Sequence, residues 1–137
     1  MWQARSCLTF APMNQRLTLI IAGISGLLAV ALGAFGAHAL EPTLLANGTA
    51  ANWETASQYH FYHTIALVLT ALLMQHKPQS KALPWAALLF TVGIVLFSGT
   101  LYQYAITQFM PGPVPPLGGL AFMAGWVMLG IGGLKKA

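Results

Sequence analysis

Residues 17–40 read LTLIIAGISGLLAVALGAFGAHAL, with no charged side chain anywhere in the run. An α-helix rises about 1.5 Å per residue, so about 20 apolar residues cross the hydrocarbon core of a bilayer. This stretch is long enough to span a membrane, and it opens directly after Arg16. Working outward, three further stretches meet the same test. The second covers about 53–75; Asn52 is placed to cap it and Glu54 sits in its first turn, on the favourable side of the helix dipole. The third covers about 84–106, opening on Pro84 with Trp85 as an interfacial anchor, and the fourth covers about 116–134, ended by Lys135 and Lys136.

The composition agrees with this division. Of 137 residues, 57% are hydrophobic and 6% charged, and the mean hydropathy is +0.69. A soluble domain carries about a quarter charged residues. A soluble enzyme, a nucleic-acid binder and a disordered tail are all excluded on that ground. The net charge of +4 reads as a set of topology markers rather than a nucleic-acid footprint. The single Cys7 allows no internal disulfide, thiolate zinc site or iron–sulfur cluster.

The connections HKPQSK (76–81) and TQFMPGPVPP (107–116) are short and rich in helix-breaking residues. Short connections make consecutive helices antiparallel neighbours. The expected fold is an all-α membrane protein, an up-down-up-down bundle of four transmembrane helices forming one domain over residues 15–137. Residues 1–14 read as an N-terminal extension, either a disordered tail or residues ahead of the true start, because Met13-Asn14-Gln15-Arg16 resembles a natural beginning. Arg5, Arg16, Lys77, Lys81, Lys135 and Lys136 all fall on one side of such a bundle, and Glu41 and Glu54 on the other. The positive-inside rule then places both termini in the cytoplasm. Ala37-His38-Ala39 imitates a signal-peptidase site, but the apolar run before it exceeds the about 7 to 15 residues of a signal sequence.

Converting helix position into depth gathers the unusual residues toward the outer end. These are His38 on the first span, Tyr59, His60 and His63 on the second, and Ser98, Gly99, Thr100 and Tyr102 on the third. Ser57, His60 and Thr64 share one stripe of the second span, with His63 beside it. Two readings follow for His60 and His63. They form a structural hydrogen-bonded layer between helices, or they hold a metal, haem, quinone or lipid head group, with His38 as a further imidazole. The structural layer is favoured, since no carboxylate cluster, further cysteine or third helical histidine at ligand spacing completes a metal geometry. No cofactor is expected on that reading; on the other, an unknown metal or haem rests on His38 and His63. Ser98 lacks the Asp or Lys partner that a nucleophile needs, so no catalytic residue is assigned. Gly33 and Gly36 on span one, Gly99 on span three, and Gly118, Gly119 and Gly125 on span four are expected where helices approach closely.

Four ordered motifs, GAFGAHAL, WETASQYHFYHT, FSGTLY and PLGGLAFMAGW, resemble the YgdD-like family of small inner-membrane proteins. That family is a domain of unknown function with mitochondrial relatives, and the resemblance covers about residues 15–134. It implies a multi-pass protein of the bacterial inner membrane and points to Gly33, Gly36, His38, Tyr59, His63, Ser98, Gly99, Tyr102, Gly118, Gly119, Gly125 and Trp126. His60 stands where relatives can carry Gln, which shifts weight to His38 and His63. The family brings no established activity. The function expected is that of a non-enzymatic accessory or assembly partner in the bilayer, bound to another membrane protein or to copies of itself, and not to nucleic acid.

Overall fold

The computed structural model describes residues 11–134; Cys7, Arg5 and most of the proposed N-terminal extension lie outside them, as do Lys135 and Lys136. The described residues are helical, with no strand among them. In chain order the helices are α1 (Gln15–Ala37), α2 (Glu41–Asn47), α3 (Ala50–His76), α4 (Ala82–Gly93), a π-helical segment (Ile94–Gly99), α5 (Thr100–Thr107) and α6 (Val114–Leu134). The elements from α4 through α5 run on without a break, so Ala82–Thr107 forms one rod of 26 residues.

Each boundary has a local cause. Met13 is buried beside Thr91, and the Asn14 side chain accepts from Leu17 N–H at 2.8 Å, fixing the start of α1. The first helix stops at Ala37, short of the expected Leu40, and Pro42 sits in the first turn of α2. Gly48 ends α2 in the left-handed conformation, with φ 66°. The stretch 41–52, which falls between the first two expected spans, is thus mostly helix, and α3 begins at Ala50, so Asn52 lies inside it. Thr49 takes the cap position but spends its hydroxyl elsewhere: it donates to Ala105 O at 2.7 Å, while Asn47 Nδ2 donates to Ala105 O and Ile106 O at 3.1 and 3.2 Å. These bonds satisfy carbonyls that the end of α5 leaves without helical partners.

Neighbouring long helices are antiparallel. Gln15 at the start of α1 meets Gln75 at the end of α3, and Trp53 at the start of α3 donates to Leu32 O late in α1. In the second hairpin, positions 83, 90, 93 and 97 pair with Gly132, Gly125, Phe122 and Gly118 in reverse order. The packing runs α1 to α3, α3 to α4–α5, and α4 to α6, and α1 does not reach α6. The middle of the molecule is therefore α3 with the α4–α5 rod.

The interior mixes large apolar side chains, Leu67, Leu83, Phe90 and Phe122 among them, with many small and polar ones. The interior holds Ala22, Ala29, Ala56, Ala66, Ala71, Ala86, Ala87 and Ala105 together with Thr18, Ser25, His60, His63, Thr64, Thr70 and Ser98. The outside also carries large apolar side chains, with Leu27 at 71% exposure and Val30 at 65%. Helices Gln15–Ala37, Ala82–Thr107 and Val114–Leu134 are long and apolar enough to cross a membrane. Helix α3 is not among these three: His60, His63, Thr64 and Thr70 are buried, Glu54, Gln58, Gln75 and His76 are exposed, and Phe61, Tyr62, Ile65, Val68, Leu69 and Leu72 form an exposed apolar stripe at helical spacing.

Candidate functional site

The polar residues of α3 form two separate clusters, one on each side of the helix. The first centres on His60, which is buried. Thr64 Oγ1 donates to the His60 carbonyl at 2.8 Å, and a carbonyl can only accept. The Ser25 hydroxyl, 2.6 Å from Thr64 Oγ1, must then donate to it. The Ser25 oxygen is left to accept from His60 Nε2–H at 3.0 Å. One terminal carbonyl thus fixes the direction of the whole chain and puts a proton on His60 Nε2. Its Nδ1 faces the Tyr102 hydroxyl at 3.4 Å, longer than the about 2.8 Å of a strong O–H bond. Tyr102 is held by its ring, which packs edge-on against Trp53 at 4.6 Å between centroids.

The second cluster centres on His63, also buried, which turns toward α6. Its Nδ1–H donates to Tyr59 O at 2.7 Å, and its Nε2 accepts from Trp126 Nε1–H at 3.2 Å. The imidazole lies flat on the Phe122 ring, with centroids 3.5 Å apart and planes 9° from parallel. Both nitrogens are engaged, and the tautomer is opposite to that of His60.

Other residues singled out by sequence are placed differently. His38 is the exposed C-cap of α1, its backbone N–H bonded to Phe35 O. It joins neither histidine cluster, because α1 ends there and the chain turns away into α2. No group of three or more His, Cys, Asp or Glu side chains within reach of one ion occurs among the described residues. Tyr59 is 41% exposed and contributes its carbonyl rather than its phenol to His63. Ser98 lies in the π-helical segment, fully buried, with no partner for its hydroxyl.

The glycines divide into two groups. A Cβ on Gly36 would stand 2.1 Å from Trp53 Nε1, one on Gly118 2.4 Å from Phe97 N, and one on Gly125 2.8 Å from the Phe90 ring; Gly33 would meet Ser57 Oγ at 3.4 Å. These four sit where helices touch. At Gly99 the nearest atom is Ile94 O at 3.9 Å, and at Gly119 there is nothing within 4 Å. Those two do not serve close helix contact; each lines a groove instead.

The grooves follow from the packing order, since α1 and α6 flank the central pair on opposite sides. One groove, ≈ 360 Å³, lies between α1 and the α4–π segment, with His60, Ser25 and Tyr102 along its floor. The other, ≈ 860 Å³, lies between α3 and α6 beside His63 and Trp126. Sequence reading missed Ser25, whose signal was a single hydroxyl in the middle of a charge-free run.

Residues 32–119 match the family model described as "Protein of unknown function (DUF423)". The chain is 41% identical over 118 residues to the UPF0382 membrane protein YwdK of Bacillus subtilis, covering 85% of this chain and 95% of that protein. It is 39% identical over 125 residues to the UPF0382 inner membrane protein YgdD of Escherichia coli, covering 90% and 93%. The chain belongs to the DUF423 family. It is a multi-pass membrane protein, and its family members carry names that describe location without activity. The family model takes in Gly33, Gly36, His60, His63 and the whole α4–α5 rod, and it ends at Gly119, so Ser25, Phe122 and Trp126 lie outside it. No solved structure matches this DUF423 chain.

Proposed function

We propose that this DUF423 protein is a non-enzymatic accessory or assembly component of the bacterial inner membrane, a four-span bundle with both termini cytoplasmic. The observation that carries this reading is that both buried imidazoles spend their nitrogens on partners inside the bundle. A polar layer whose bonds run mostly between its own helices binds those helices together. The exposed apolar stripe of α3 supports that helix as the fourth span; the polar residues in its middle, His60, His63, Thr64 and Thr70, face protein and not lipid. The lopsided placement of six basic residues supports the orientation.

A metal or haem held by His38 and His63 finds less support. His38 is exposed at the end of α1, and a ligand to His63 Nε2 would first have to displace Trp126. No cofactor enters the proposed function. A partner protein or a second copy would pack on the apolar exterior. Native mass spectrometry from the protein's own membranes tests this: a second polypeptide at fixed ratio is expected. A chain that is always alone, or one carrying a stoichiometric metal or haem, would overturn the accessory reading.

A further inference from the structure

The groove between α1 and the π-helical segment combines features that a mere packing defect lacks. Its walls are Ile21, Ile24 and Leu28 on one side and Ile94, Val95 and Gly99 on the other, and no charged side chain lines it. Its volume, ≈ 360 Å³, falls in the range of small-molecule sites, about 300–1,000 Å³. A Cβ at Gly99 would meet only open space and Ile94 O at 3.9 Å, so this glycine widens the wall. A π-helical stretch is itself uncommon and recurs at binding sites.

At the floor, the His60 chain is complete except at one end. Ser25, Thr64 and His60 Nε2 are committed to one another, whereas the Tyr102 hydroxyl reaches His60 Nδ1 only at 3.4 Å. The Tyr102 hydroxyl also has the Ser57 side chain as a hydrogen-bond partner, so a ligand oxygen would take this donor in exchange for the Ser57 bond and the long His60 contact.

Depth selects the class of ligand. Ser25 lies about 15 Å along a helix about 35 Å long, close to mid-membrane if α1 spans. Phospholipid head groups sit about 15 Å from the midplane, at the edges of the about 30 Å hydrocarbon core. Such a head group does not reach His60, and the groove offers no cation to a phosphate or carboxylate. A neutral head bearing carbonyl or hydroxyl oxygens, attached to an apolar tail, fits both constraints.

We propose that this groove binds a quinone-class molecule from the bilayer, its tail between α1 and the π-helical segment and a ring oxygen on the Tyr102 hydroxyl beside His60. The site goes beyond the accessory role. It rests on the four-span placement, which cysteine labelling reads separately from binding.

The test is native mass spectrometry of the full chain in lipid nanodiscs with added decylbenzoquinone. One equivalent is expected on the wild type. Gly99→Leu and Val95→Trp, which fill the groove from exposed wall positions, are expected to abolish retention with unfolding midpoints unchanged. Tyr102→Phe keeps the ring against Trp53 and is expected to weaken binding about tenfold, the loss of one hydrogen bond. Decylbenzene, a tail without oxygens, is expected not to compete. Equal retention by the groove variants, an unaltered Tyr102→Phe, or effective competition by decylbenzene would each overturn the proposal, the last by showing that the groove takes only hydrocarbon chains.

Discussion

Replacing Ser25 by Ala removes one oxygen from the centre of α1 and nothing else. That oxygen accepts from His60 Nε2–H at 3.0 Å and its proton goes to Thr64 Oγ1 at 2.6 Å. Interhelical hydrogen bonds in membranes are worth about 0.6 kcal/mol on average and up to about 1.7. Two of them are lost here, and a buried imidazole N–H is left without an acceptor, a state that costs about 1–3 kcal/mol where nothing relaxes. We expect a destabilisation of about 2 kcal/mol, or roughly thirty-fold in the unfolding equilibrium. Thr70→Val is the matched control: Thr70 is equally buried, but its hydroxyl bonds Ala66 O in its own helix, so its loss is expected to cost less than about 0.5 kcal/mol. Reversible unfolding in mixed micelles of rising SDS content, followed by tryptophan fluorescence, measures both. If Ser25→Ala unfolds no earlier than Thr70→Val, the hydrogen-bonded chain through His60 does not hold α1 to α3.

Gly36→Ala sets a Cβ 2.1 Å from Trp53 Nε1, a nitrogen already committed to Leu32 O at 3.0 Å, and should cost about 1–3 kcal/mol in the same assay, whereas Gly23→Ala meets nothing within 4 Å and should be nearly neutral. Trp126→Phe keeps an aromatic ring beside Phe90 but removes the donor to His63 Nε2, and a loss of about 1 kcal/mol is expected. In a Cys7→Ser background, cysteines at Gln79 and Ala46 should label from the cytoplasmic and outer sides respectively; labelling of both from one side would remove α3 from the set of spans.

The long helices were legible because length, absence of charge and Pro- or Gly-rich connections are local properties. Gly36, Gly118 and Gly125 were legible for a related reason, since small residues on a helix face mark approach wherever the neighbour lies. Helix α2 was not, because Glu41–Asn47 is too short to show apolar periodicity, and what holds it is remote: Leu44 is buried and Asn47 bonds the end of α5. The stripe of His60 with Thr64 could be read from spacing, but not that His60 would face α1 while His63 faced α6. Three residues apart on a helix, they looked like one site. They became two because α3 lies in the middle of the packing order, a property of all the helices together. His38 failed as a partner for the same kind of reason: its sequence position gives its depth, and only the exit of α1 into α2 gives its direction.

The central claim is that the buried polar layer around α3 joins it to its neighbouring helices, and the two histidines record it in opposite ways. Nitrogen NMR of histidine-labelled protein in lipid bilayers reads this directly. The account predicts two neutral imidazoles at neutral pH, His60 protonated at Nε2 and His63 at Nδ1, assigned by loss of each signal in His60→Gln and His63→Gln. An imidazolium at either position, or the same tautomer at both, would contradict it.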